Sequence, residues 1–194
     1  MKRRNVAILL FNDVEVLDFA GPFEVFSVAD ELSSYTLFNV FTVAEINDAI
    51  IARNGLSVNP NYTILNCPKV DILIIPGGDG TRPILEKKNV LEWVQLISKD
   101  AELVLSICTG ALVLAKAGIL EGLQATTHHE AFDELSSLTT NTKIIRGQRY
   151  VNNSPVITSA GVSAGIDMCL YVVDKLLGHE YALKVREYIE YDHT

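Results

Sequence analysis

The sequence predicts an α/β sandwich built on a mostly parallel central sheet. Three observations carry that prediction. Strand-like and helix-like runs alternate along the 194 residues, the pattern of repeated βα units. The run Val70–Pro76 (VDILIIP) is almost continuously apolar, as a strand buried on both faces must be. At Cys108, finally, a buried-strand pattern gives way to helix formers within a residue or two.

Val6–Phe11 (VAILLF) reads as the first strand. A helix is expected from near Pro22, since proline suits the first helical turn. Thr36–Ala44 is the next strand, and Asn54–Asn66, rich in Asn, Gly and Pro, a small hairpin or excursion. After the Val70–Pro76 strand, Val90, Trp93, Val94 and Ile97 recur at helical spacing within Asn89–Lys99. Leu103–Ile107 is a strand, and Ala111–Ala117 a helix that Gly118 can end. A short helix is expected from Glu130, and then an antiparallel pair of Lys143–Tyr150 with Val156–Ser159. Helices over Ala164–Leu177 and His179–Tyr191 close the chain.

Length and composition suit one domain over residues 1–194. Hydrophobic residues make up 48% and charged residues 21%, so disorder is excluded. A net charge of −8 argues against nucleic acid, because no basic surplus is available for phosphates. No apolar run approaches the ~20 residues of a membrane helix. The start, Met1–Asn5 and then VAILLF, is read as a first strand rather than a signal peptide, because Asn12-Asp13 interrupts so short an apolar run. Cys67, Cys108 and Cys169 are too far apart for a disulfide framework and suit a reducing cytoplasm. Neither they nor the four histidines show zinc spacing. No metal or organic cofactor is expected.

In a parallel sheet, functional groups gather beyond the carboxyl ends of the strands. That rule selects Asn12–Gly21, Gly77–Thr81 and Cys108–Gly110. A thiol at a helix start feels the positive end of the helix dipole, so Cys108 is expected to favour its thiolate. Its strand–Cys-Thr-Gly–helix setting is like a nucleophile elbow, with Ser106 where a glycine is usual. The bland alternative is a small buried filler. Gly77 and Gly78 leave amides unshielded near an anion. Asp18 can reach the thiol as a proton source if the first and Cys108 strands are near neighbours; Glu15 and Glu24 compete for that role. His128-His129-Glu130 holds the parts of a Cys-His-Glu triad, but His128 is read as a pocket-lining residue. Cys67 is assigned to a loop and Cys169 to the core; Tyr188 and Tyr191 are left between interface and pocket wall.

The stretches LDFAGPFEVF, IIPGGDG, SICTGALVLAKAGIL, ATTHHEAFDEL and SAGVSAGIDMCLYVVDKLLG together resemble the ThiJ/PfpI superfamily, in its order and over nearly the whole chain. The resemblance implies a flavodoxin-like three-layer sandwich, class I glutamine amidotransferase-like, and a homodimer. Within the superfamily the chain looks most like isonitrile hydratase and the ligand domains of AraC-type regulators. It implies Cys108 as the reactive cysteine, Asp18 as the acidic partner and Thr109 as the neighbouring hydroxyl, with Gly78 and Thr109 as backbone donors. Thr109 stands where peptidase and deglycase members carry histidine, and no helix-turn-helix segment follows within the 194 residues. The expected function is therefore isonitrile hydration, a lyase reaction on a small molecule by a cysteine nucleophile. The alternatives are an intracellular amidase- or protease-like hydrolase, and a non-catalytic ligand or redox sensor.

Overall fold

The computed structural model describes residues 2–191. The chain opens with β1 (Arg4–Leu10), α1 (Val16–Glu31) and β2 (Phe38–Ala44), and then makes a small hairpin of β3 (Ile50–Ile51) and β4 (Ser57–Val58). Next come β5 (Tyr62–Thr63), β6 (Ile72–Ile75), α2 (Thr81–Ile84), α3 (Lys88–Asp100), β7 (Leu103–Ser106) and α4 (Gly110–Lys116). The last part holds β8 (Gln124–Ala125), α5 (Phe132–Ser137), β9 (Lys143–Ile144), β10 (Tyr150–Asn153), β11 (Val156–Ser159), α6 (Ala164–Leu177) and α7 (His179–Tyr188).

The main sheet runs β10-β11-β7-β6-β1-β2-β5. Each neighbouring pair is parallel except β10 with β11. Helices α1, α6 and α7 pack together as one layer, and α4 packs with α2, α3 and α5 as another, giving the flavodoxin-like sandwich. All four residues of β6 are inaccessible to solvent, which explains why this strand carries branched aliphatics without alternation. Helix α3 buries Val90, Trp93 and Val94 along one stripe, and α6 buries Met168, Cys169, Val172 and Val173. Each such side chain contributes roughly 1.5–3 kcal/mol by leaving water.

Four boundaries differ from the sequence reading. Helix α1 begins at Val16, with Pro22 inside it. The missing proline N–H removes one helical hydrogen bond, and burial of Phe19, Val25 and Phe26 outweighs the loss. The excursion expected over Asn54–Asn66 begins earlier, with Ile50 paired to Val58. Val156–Ser159 pairs antiparallel with Tyr150–Asn153 rather than with residues from Lys143 onward, because the tight turn places Asn153 opposite Val156. Lys143 and Ile144 pair instead with Gln124 and Ala125, in parallel. The last helix stops at Tyr188, short of Tyr191, where Glu190 turns left-handed at φ +49°.

One consequence positions everything that follows. Because β11 runs parallel to β7, its carboxyl end joins those of β1, β6 and β7 at a single edge of the sheet. The strand order reverses between β1 and β6, the switch point at which such sheets open a crevice.

Candidate functional site

Cys108 stands between β7 and α4 in the left-handed region, at φ +54°, where few residues other than glycine are found. Backbone hydrogen bonds hold it there. Its N–H donates to the Ala160 carbonyl over 3.1 Å, and its carbonyl accepts from the Thr127 hydroxyl over 2.8 Å. Gly110, next but one, has no room for a side chain: a Cβ there would lie 2.1 Å from the Ile75 carbonyl oxygen. The turn is therefore as sharp as the elbow pattern implied, with Ser106 accommodated as the last, fully buried residue of β7.

Asp18 comes from the first turn of α1 and is wholly buried. Its Oδ2 accepts from the Gly77 N–H over 3.0 Å, while Oδ1 is buried with no hydrogen bond closed onto it. Burial raises the Asp18 pKa to about 7, against the Gly77 N–H, which pulls it down. The charge of Glu15 raises it further, and the Cys108 thiol and Val162 N–H favour the carboxylate. Asp18 and Cys108 thus face one another across the end of β6. The other carboxylates stand elsewhere: Glu15 pairs with Arg53 over 3.1 Å, and Glu24 is exposed on α1.

The thiol itself departs from expectation. Cys108 is only 6% exposed, and its pKa is pushed up to about 12, first by burial and then by the charge of Asp18. The Thr109 N–H and hydroxyl favour the thiolate but do not prevail. Desolvation outweighs the end of a helix that runs only from Gly110 to Lys116. The resting state is a protonated thiol beside a carboxyl that titrates near neutrality. Each group shifts the other's pKa, so their titrations are coupled.

The glycine loop is also more fully engaged than its sequence suggested. The Gly77 amide is taken by Asp18, and the Gly78 amide donates to the Thr109 hydroxyl over 2.9 Å. That hydroxyl in turn lies 3.1 Å from the Gly78 carbonyl oxygen, which it can reach as a donor. Thr109 thus ties the two loops together, and neither glycine amide is spare for an oxyanion. A Cβ on Gly77 would lie 2.6 Å from the Thr109 nitrogen, 2.7 Å from Cys108 Cβ and 2.8 Å from Asp18 Oδ2. Gly77→Ala is accordingly expected to lower stability by about 1–3 kcal/mol, read by denaturant unfolding.

His128 lines a cavity of about 340 Å³ with Thr127, Phe132, Arg149, Gly161 and Val162. This cavity adjoins the elbow through Thr127 and Ala160. His128 Nδ1 accepts from the Glu130 N–H at 3.4 Å, and its ring lies against Gly161, where an added Cβ would come within 2.4 Å. Burial and the neighbouring His129 lower its pKa. Cys67 lies half-buried in the loop before β6, and Cys169 is buried in α6. The Tyr188 hydroxyl donates to Glu31 of α1 over 3.2 Å, and that of Tyr191 to Asp167 of α6 over 3.0 Å.

Sequence reasoning missed the fourth loop, Ala160–Ser163. Ala160 holds the Cys108 amide, Gly161 makes room for His128, and Val162, at φ +48°, leans its N–H toward Asp18. The signal was the SAGVSAG stretch after a strand, which the strand-end rule would have selected had the direction of β11 been known.

A cysteine at a strand-to-helix elbow, facing a buried carboxyl at the edge of a parallel α/β sheet, marks a definable class of α/β sandwich. Residues 4–175 match the DJ-1/PfpI family, and the chain belongs to it. It is 32% identical over 186 residues to isonitrile hydratase of Pseudomonas putida, covering 96% of this chain and 78% of that protein. It is 26% identical over 196 residues to the HTH-type transcriptional regulator GbdR of Pseudomonas aeruginosa, covering 97% of this chain and 51%, about half, of the regulator. Among solved structures, a ThiJ/PfpI family protein from Pseudomonas syringae superposes with a TM-score of 0.90 at 30% identity, over 100% of this chain and 77% of that one. Among the described residues no helix is long and apolar enough to cross a membrane.

Proposed function

We propose that this chain is a single-domain, cysteine-dependent enzyme that hydrates isonitriles to N-substituted formamides. The observation that carries this reading is the Cys108–Asp18 pair, a slightly exposed thiol beside a carboxyl of pKa about 7. Such a carboxyl is both acceptor and donor at neutral pH. A linear R–N≡C group, with its reactive carbon at the tip, suits a thiol of 6% exposure better than a peptide bond does.

In the proposed reaction Asp18 takes the Cys108 proton as sulfur bonds to the terminal carbon, and returns that proton to the same carbon. The product of this step is the thioimidate Cys–S–CH=N–R. Water then adds to that carbon: Asp18 accepts one water proton and passes it to nitrogen, giving Cys–S–CH(OH)–NH–R. Collapse of the hydroxyl to a carbonyl breaks the C–S bond, the hydroxyl proton returns to sulfur by way of Asp18, and the formamide leaves. The Thr109 N–H supports negative charge on sulfur throughout, and His128 contributes to the wall of the approach. Incubation with a panel of alkyl and aryl isonitriles, with formamide read by mass spectrometry, tests the reading; no formamide from any of them overturns it.

A second reading, non-catalytic ligand sensing beside Cys108, is favoured by the likeness to a regulator. The protonated, nearly enclosed thiol counts against its redox form, because oxidation needs an accessible thiolate. The pKa causes separate reactivity from turnover. Removing the Asp18 charge lowers the Cys108 pKa, so Asp18→Asn is expected to alkylate faster than wild type with iodoacetamide at about pH 8. The same variant is expected to hydrate isonitriles more slowly. Residue-resolved labelling beside an activity assay checks both.

A further inference from the structure

A cavity of about 470 Å³ lies away from the elbow, beyond the carboxyl ends of β1 and β2. Its inner wall is apolar: Leu10, Phe11, Ala44, Ile84 and Val90 all line it and are buried. Its charges are unbalanced. Glu45 and Lys87 both line it, but they form an ion pair, and Asn89 Nδ2 donates to the same carboxylate over 2.9 Å. Asp13 and Asp48 also line the cavity, on the exposed side. Among the described residues neither of these two carboxylates has a hydrogen bond or ion pair. The only lysine in the lining is already neutralised, so the mouth is anionic over an apolar interior.

We propose that this cavity binds a small amphipathic amine, its alkyl body against the buried wall and its ammonium at the Asp13 and Asp48 carboxylates. An anion meets two uncompensated negative charges there, and a neutral apolar molecule gains nothing from either of them. An ammonium on an apolar stem satisfies both parts of the lining. This site is independent of the thiol chemistry, since neither Cys108 nor Asp18 lines it.

Isothermal titration calorimetry with hexylamine, hexan-1-ol and hexanoate at about pH 7 tests the assignment. Hexylammonium is expected to bind saturably at one site, roughly tenfold or more tighter than hexanol, with hexanoate weakest. Asp13→Asn combined with Asp48→Asn is expected to abolish the preference for the amine. Asparagine tolerates the left-handed backbone of residue 13, at φ +58°. Ala49→Trp, at an exposed lining position, is expected to block all three ligands. The same titrations on Cys108→Ala keep the result separate from hydration. Equal binding of amine and alcohol, tighter binding of hexanoate, no saturable binding, or binding unchanged by Ala49→Trp overturns the proposal.

Discussion

Cys108→Ala is expected to abolish formamide production while leaving the fold intact. The proposed thioimidate cannot form without sulfur, and alanine fits the space that Cys108 leaves. Asp18→Asn is expected to lower the rate by about 10²–10⁴-fold, the span that one positioned proton-transfer group contributes. The amide keeps an acceptor for the Gly77 N–H but can neither receive the thiol proton nor return it. His128→Ala is expected to have a much smaller effect, because His128 caps the 129–131 turn and shapes the wall. Steady-state rates on one isonitrile, with circular dichroism to verify folding, check all three. A collapse in His128→Ala equal to that in Cys108→Ala moves the reading to an amidase-like triad.

The second large effect is on stability. Asp18 is held neutral in the folded chain up to about pH 7, against a usual value of 3.8. Below about pH 4 both folded and unfolded chains carry the proton, and no penalty exists. Between that pH and about 7 the unfolded chain binds fewer protons than the folded one, so stability falls as pH rises. Above about pH 7 the penalty is complete, on the order of 4 kcal/mol for a raised carboxyl of this size. Asp18→Asn removes this contribution. Denaturant unfolding of both proteins at about pH 4 and pH 8 is expected to show the variant gaining on wild type at the higher pH. A difference independent of pH would mean that Asp18 is charged throughout.

The alternation of βα units and the run Val70–Pro76 were enough to identify a parallel sandwich, because both faces of β6 are covered and no polar residue is tolerated there. The strand-end rule then selected Asp18, the Gly77–Gly78 loop and Cys108, and the structure brings these together. The Ala160–Ser163 loop was not legible. Its placement depends on β11 pairing with β7, a contact between residues far apart in sequence, and periodicity carries no information about direction. The high thiol pKa was equally hidden. A helix start can be seen in a sequence, but burial to 6% exposure depends on the loops that close over it. Nor does glycine spacing reveal that Thr109 and Asp18 already occupy the two amides.

The left-handed backbone of Cys108 bears on how this scaffold can diversify. The thiol is oriented mainly by backbone groups: the Ala160 carbonyl, the Gly110 approach to Ile75 and the tie between Thr109 and Gly78. Phe132, Gln148 and Arg149, which line the adjoining cavity, lie on other segments. Those three side chains can be exchanged without disturbing the hydrogen bonds that aim the sulfur, whereas Thr127, which lines the same cavity, holds the Cys108 carbonyl and cannot. On the proposed reading, reactivity and substrate choice rest on different segments, so one unaltered elbow is able to serve different pocket walls.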